Sequence, residues 1–338
     1  MNSATLIVLI LDALDECPQS FRPEMIEALR IGASLLPTNV KLFLTSRPQN
    51  GVSLATEELF PKYVHISVGL GQDDNDDLRC FIAHKLSEIR KSRRLENSWS
   101  EAAMDRDTLE FSSKACGLFQ WTSVTCALIG RRFDPPKAIH RILNLPASAE
   151  AQVNLDTLYT NALRQVLPDA EEDTDLRLVY TQVVGTIIVA KEPLDVLAPC
   201  DLLDLLEGTV NRLLTDLGCV ISVELERGLR VAHVAHPSFF DFVTSDIRCA
   251  DVAFFLDHMD ASQFLGLRCL IVATERLRHN LGGVDSDNEL AGDVPARNLL
   301  GSLRYGSRFT LVYVGELTRL NPSIVRLLDV FLDTKLME

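Results

Sequence analysis

Apolar residues follow several rhythms along this chain. From Leu6 to Leu11 they run without a break into an acidic cluster, Asp12, Asp15 and Glu16. An unbroken branched-aliphatic run of this length predicts a parallel strand buried on both faces. Its acids then stand at the carboxyl end, where open α/β sheets place their ligands. Pro18 and Ser20 open a turn, and Pro23 suits a first helical position. Met25, Ile26, Leu29, Leu35 and Leu36 return at helical spacing until Pro37 ends them. Val40 to Leu44 predicts a second strand with a polar tip, Thr45-Ser46-Arg47-Pro48, and completes a β-α-β unit. Tyr63 to Val68 predicts a third strand. Asp73 to Asp77 then precedes a helix that carries Leu78, Phe81, Ile82, Leu86 and Ile89.

The rhythm beyond is helical. A helix is expected over 106–131 with a break near Gly117, and another over 155–166 whose Leu155, Leu158, Tyr159, Ala162, Leu163 and Val166 share one face. Val179 to Val189 predicts a buried helix ended by Glu192-Pro193. Residues 200–217 hold two short helices. Cys219–Glu224 and Leu229–Val234 predict strands around Glu226-Arg227-Gly228, a glycine-containing hairpin turn. Helix, helix, hairpin is the order of a winged helix. The last part carries amphipathic patterns at Phe254–Leu256, Phe264–Leu277, Leu299–Leu303 and Ile324–Leu332, divided by a glycine-rich break over 282–293. These predict a helical bundle or the start of an α-solenoid, although no repeat period is visible.

Composition changes the picture in three ways. With 338 residues, 47% of them hydrophobic, the chain can fill two or three domain cores. A formal net charge of −14 disfavours nucleic acid and anionic lipid as partners. The helix expected over 209–217 has Arg212 as its one basic residue, with Asp201, Asp204 and Glu207 just before it, so a DNA-reading role is disfavoured too. The eight cysteines are scattered without a C-x-x-C pair, which indicates neither a zinc site nor a disulfide framework and suits reduced thiols in the cytosol. His233-x-x-His236 lacks a third ligand and is disfavoured as a metal pair. Neither a signal peptide nor a membrane span is expected, and no G-x-S-x-G elbow supports a hydrolase triad.

The acids at the first strand's end suit phosphoryl-transfer chemistry. One carboxylate can hold Mg²⁺ directly or through water, while a second orients a water against a phosphate. Such machinery needs a phosphate cradle of the form G-x-x-x-x-G-K-[ST]. None of the eight lysines follows a glycine, so the sequence contains no such loop. The plain alternative for Asp12, Asp15 and Glu16 is a solvated strand end.

Asp12-Ala13-Leu14-Asp15-Glu16, followed by Leu44-Thr45-Ser46-Arg47-Pro48, resembles the Walker B and sensor 1 pairing of NACHT nucleotide-binding domains. These belong to the STAND class of signalling P-loop NTPases. The sequence is most similar to the large fungal nephrocystin-3-like group, often followed by WD40 or ankyrin repeats. Lys114-Ala115-Cys116-Gly117-Leu118-Phe119-Gln120-Trp121 resembles that group's K-A-x-G-L-F-I-W segment, and Leu155-Asp156-Thr157-Leu158-Tyr159 resembles its L-D-x-L-Y helix.

The resemblance implies a partial α/β P-loop NTPase sheet over 1–72, a helical subdomain over 73–172, a winged helix over 173–248 and a C-terminal helical bundle over 249–338. It implies that the chain starts partway through a nucleotide-binding domain and carries no repeat array. In a full-length protein Asp12 would help hold Mg²⁺ and Asp15 or Glu16 would position water. Arg47 would sense the γ-phosphate of ATP. His236, in His236-Pro237-Ser238-Phe239-Phe240-Asp241-Phe242, would contact the β-phosphate of ADP. The alternative for Arg47 is a salt bridge to the acidic cluster, and for His236 a cap or packing role at the helix that follows. No cofactor is expected for this chain alone. Its expected partners are proteins, including further copies of itself, in the cytoplasm. The competing readings are a non-enzymatic helical scaffold and a truncated product without an independent role.

Overall fold

A computed structural model describes residues 5–14, 17, 21–46, 66, 75–146, 148, 151–167, 173–226, 228–277, 301–316 and 322–335. The chain divides into two compact units, Met1–Gly69 and Leu70–Glu338. The fold is mainly helical, with thirteen helices and five short strands among the described residues.

The first unit contains β1 (Ile7–Leu11), α1 (Arg22–Leu35) and β2 (Val40–Leu44). As expected, Pro23 sits in the first turn of α1 and the helix stops before Pro37. β1 and β2 pair in parallel, from Ile7 beside Val40 to Leu11 beside Leu44. The expected third strand at 63–68 lies almost wholly outside the described residues.

The expected burial of β1 is not realised. Every residue of the strand is exposed, from 41% at Leu11 to 65% at Ile10. The physical reason is that no layer among the described residues covers it. β2 is the one strand hydrogen-bonded to β1 among the described residues, and α1 buries no side chain. An apolar run specifies a doubly covered strand only where another layer covers it.

The second unit begins with five helices: α2 (Asn75–Ser92), α3 (Glu101–Ala115), α4 (Phe119–Arg131), α5 (Pro135–Leu143) and α6 (Ala151–Val166). The expected break near Gly117 is a left-handed pair, Cys116 at φ 49° and Gly117 at φ 80°, which ends α3 and frees the chain to turn into α4. Lys114 reaches from α3 to the end of α5, where its ammonium donates to the carbonyls of Leu143 (2.7 Å) and Leu145. Burial lowers the Lys114 pKa, with Glu110 opposing that shift. Trp121 packs edge-on against Phe111 with centroids 5.2 Å apart. The lysine and tryptophan of the motif at 114–121 thus tie three helices together.

Next come α7 (Thr174–Val189), β3 (Leu194–Asp195), α8 (Leu197–Leu203), α9 (Glu207–Asp216), β4 (Ile221–Glu226), β5 (Leu229–Val234) and α10 (Pro237–Val243). β5 lies between β3 and β4 and is antiparallel to both. Gly228, at φ +85°, supplies the left-handed turn of the hairpin. α7 begins ahead of the expected Val179 because Asp173 caps it, accepting from the N–H groups of Asp175 (3.0 Å) and Leu176 (2.9 Å).

The last helices are α11 (His258–Arg276), α12 (Gly301–Glu316) and α13 (Pro322–Lys335). α11 and α12 cross closely. A Cβ on Gly266 would stand 2.8 Å from Cβ of Tyr313, so a side chain there would force the helices apart. Tyr305 and Tyr313 share a buried hydroxyl contact of 2.7 Å, and Tyr313 donates to the Val189 carbonyl at 2.9 Å. One continuous core runs from Leu78 in α2 to Tyr313 in α12, so the segments 73–172, 173–248 and 249–338 share it. The glycine-rich break over 282–293 lies outside the described residues.

Candidate functional site

The sequence-selected residues fall at two places, one in each unit. In the first unit, the parallel pairing of β1 and β2 brings Asp12 beside Thr45 at their carboxyl ends. The Thr45 hydroxyl donates to Oδ1 of Asp12 and accepts from the Ala13 N–H at 2.8 Å. Main-chain bonds continue the seam, from Thr45 N–H to the Leu11 carbonyl (3.1 Å) and from Leu14 N–H to the Thr45 carbonyl (2.9 Å). Ala13 between them has φ 54°, a left-handed conformation uncommon for a residue with a Cβ. The result is an exposed carboxylate fixed at a strand tip, a geometry suited to holding a hydrated divalent cation. Asp15, Glu16 and Arg47 lie outside the described residues.

In the second unit, β5 leads directly into His236, which precedes α10 with extended backbone angles, φ −159° and ψ 140°. Its Nδ1 accepts from the Ser238 N–H at 3.1 Å and stands 2.8 Å from the Ser238 hydroxyl. His236 is therefore the N-cap of α10, so the capping alternative is realised. With Nδ1 accepting from that N–H, the ring nitrogen left to donate is Nε2. Beyond Ser238 the contacts continue inward. Ser238 Oγ lies 2.8 Å from the Tyr159 hydroxyl, which accepts from Gln120 Nε2 at 3.4 Å.

Tyr159 belongs to α6 and has no exposed surface. Its ring packs against Phe239 and Phe242, each with centroids 5.3 Å away. Burial raises the Tyr159 pKa, partly offset by the Ser238 and Gln120 hydrogen bonds, so the group stays a neutral hydroxyl. Around it, Arg248 grips Asp156 with bonds of 2.7 and 3.1 Å, and Arg164 grips Asp251 at 2.8 and 3.0 Å. The L-D-x-L-Y motif thus resolves into core residues Leu155, Leu158 and Tyr159, with Asp156 as an ion-pair anchor.

Thr45, Ser238 and Tyr159 stand within the motifs read from the sequence but carry no site role there. Thr45 was legible only as part of the polar tip of β2, and its pairing with Asp12 comes from the strand register. The Tyr159–Ser238 contact spans 79 residues, and no local pattern announces it. His233 and His236 do not share a ligand geometry, because His233 faces Glu226 across the hairpin while His236 faces Ser238. A cavity of about 380 Å³, lined by Thr181, Thr186, Phe255, Asp260 and Phe264 among others, does not include His236. Among the described residues, no helix is long and apolar enough to cross a membrane.

No family model matches the chain, and neither the curated proteins nor the solved structures contain a match to it.

Proposed function

We propose that this chain is the core of a NACHT-type nucleotide switch, with a P-loop-type strand tip in its first unit and a winged-helix segment around His236 in its second. In this reading Asp12 is the Mg²⁺ carboxylate and His236 Nε2–H is the donor that meets the β-phosphate of ADP. Asp15 or Glu16 positions water, and Arg47 reports the γ-phosphate. The sequence supplies no glycine-rich phosphate loop, so the chain alone neither retains nor hydrolyses a nucleotide.

The single observation that carries this reading is the parallel, directly adjacent pairing of the two motif strands, with Asp12 and Thr45 hydrogen-bonded at their carboxyl ends. That is the end of a parallel sheet where phosphate ligands are met. The test is a thermal melt of the full chain with Mg-ATP and with Mg-ADP. A ligand at about a hundredfold its dissociation constant would add about 2.7 kcal/mol, and no shift is the expected result. A raised melting temperature that Asp12→Ala abolishes would mean that the chain builds a complete pocket.

A second reading, a non-enzymatic association module, is favoured by the exposed apolar strand β1. Its cytoplasmic setting and protein partners belong to the same proposal. Exposed strands with unpaired edges recruit further chains, so this reading is tested by the oligomeric state.

A further inference from the structure

We propose that Glu224, Glu226 and His233 form a binding site for a divalent transition-metal ion, Zn²⁺, on the β4–β5 hairpin. Alternation along β4 puts Glu224 and Glu226 on one face, together with Ser222, which is the register partner of His233 on β5. One donor atom from each of Glu224, Glu226 and His233 lies within 4.8 Å of the others.

The imidazole carries the argument beyond the two acids. Its Nε2 is buried and has no hydrogen-bond partner among the described residues, while Oε1 of Glu226 stands 3.6 Å away. At that separation the pair is too long for a hydrogen bond, and an unmet buried nitrogen is costly. A cation between the nitrogen and the carboxylates would satisfy all three groups.

Zinc binds His nitrogen and carboxylate oxygen at about 2.0–2.2 Å, which sets neighbouring donors about 3–3.5 Å apart. The two glutamates are exposed, so turning about their side-chain bonds can close the remaining gap. One nitrogen and two carboxylate oxygens leave a fourth position for water, the three-ligand pattern of an open zinc site. The imidazole argues against Mg²⁺ and Ca²⁺, which favour all-oxygen shells. Because His233 stands opposite Ser222 while Glu226 is next to the turn, a bound ion would clamp the tip of the hairpin to its base.

The test is a calorimetric titration of Zn²⁺ into the full chain after stripping with EDTA. Loss of an outer-shell partner alone costs roughly tenfold or more in metal affinity. Replacing a ligand, in H233Q or E226Q, should therefore weaken the strongest site at least about tenfold. H84Q serves as the control, since it removes another His–Glu pair, His84 with Glu88 at 3.2 Å, and should leave that site unchanged. E226Q alters an exposed side chain, which keeps the test valid if H233Q fails to fold. A wild-type chain without Zn²⁺ affinity, or H233Q and E226Q that bind Zn²⁺ as tightly as the wild type, would overturn the site and leave the residues as an ion pair.

Discussion

Tyr159→Phe and Ser238→Ala, made singly and together, isolate the buried link between α6 and the cap of α10. The Phe variant keeps the ring against Phe239 and Phe242 and deletes one hydroxyl, which is 2.8 Å from Ser238 Oγ. Loss of a hydrogen bond of this kind costs about 0.5–1.5 kcal/mol. In the Ala variant the main-chain N–H of residue 238 still donates to His236 Nδ1, so the cap survives. The Tyr159 hydroxyl is then left with Gln120 alone at 3.4 Å, and an underpartnered buried group brings the cost to about 1–3 kcal/mol. Because both changes remove the same link, the double variant should be more stable than the sum of the singles implies, by about 1 kcal/mol. Urea unfolding followed by tryptophan emission measures this in the second unit, since the chain's two tryptophans, Trp99 and Trp121, are both buried there. Additivity within about 0.3 kcal/mol would refute the link.

Three further outcomes are expected. Burial pushes the thiols of Cys126 and Cys269 up to about 12 from an ordinary 9.0. Between those values the unfolded chain binds fewer protons than the folded one, so stability should hold below pH 9 and then fall, by about 1 kcal/mol for each of the two thiols by pH 10; urea midpoints that rise with pH in that window would contradict this. Exposed Cys80 and Cys116 should react with a thiol reagent in the native state, while buried Cys126, Cys219, Cys249 and Cys269 should wait for unfolding, as mass spectrometry of the labelled peptides can show. Ile10→Lys, at the most exposed position of β1, should shift sedimentation from concentration-dependent oligomers toward monomer; a wild-type chain that is monomeric at every concentration would remove the association reading.

Local rules carried much of the secondary structure. Pro23 and Pro37 bracketed α1, and Gly117 marked the break between α3 and α4, because each acts through its own backbone geometry. The early start of α7 is legible in Asp173, an N-cap residue that stands ahead of the apolar run. The two-residue β3 gave no periodic signal, since it exists only by pairing with β5. The exposure of β1 was hidden for a related reason: an apolar pattern states what a strand can bury, while burial depends on what covers it.

At the candidate site, Asp12 and His236 were readable as types of group in motifs, and their immediate partners were not. Thr45 meets Asp12 through strand pairing, and Tyr159 reaches Ser238 through packing of α6 on α10. Glu226 and His233 are seven positions apart in sequence and meet only through the hairpin.

The central question is whether this polypeptide by itself holds a nucleotide. Equilibrium dialysis of the purified chain against radiolabelled ADP and ATP with Mg²⁺ measures that directly. Equal label on both sides of the membrane is expected for the wild type, Asp12→Ala and His236→Ala. Saturable retention of ADP by the wild type, lost in both variants, would contradict that expectation.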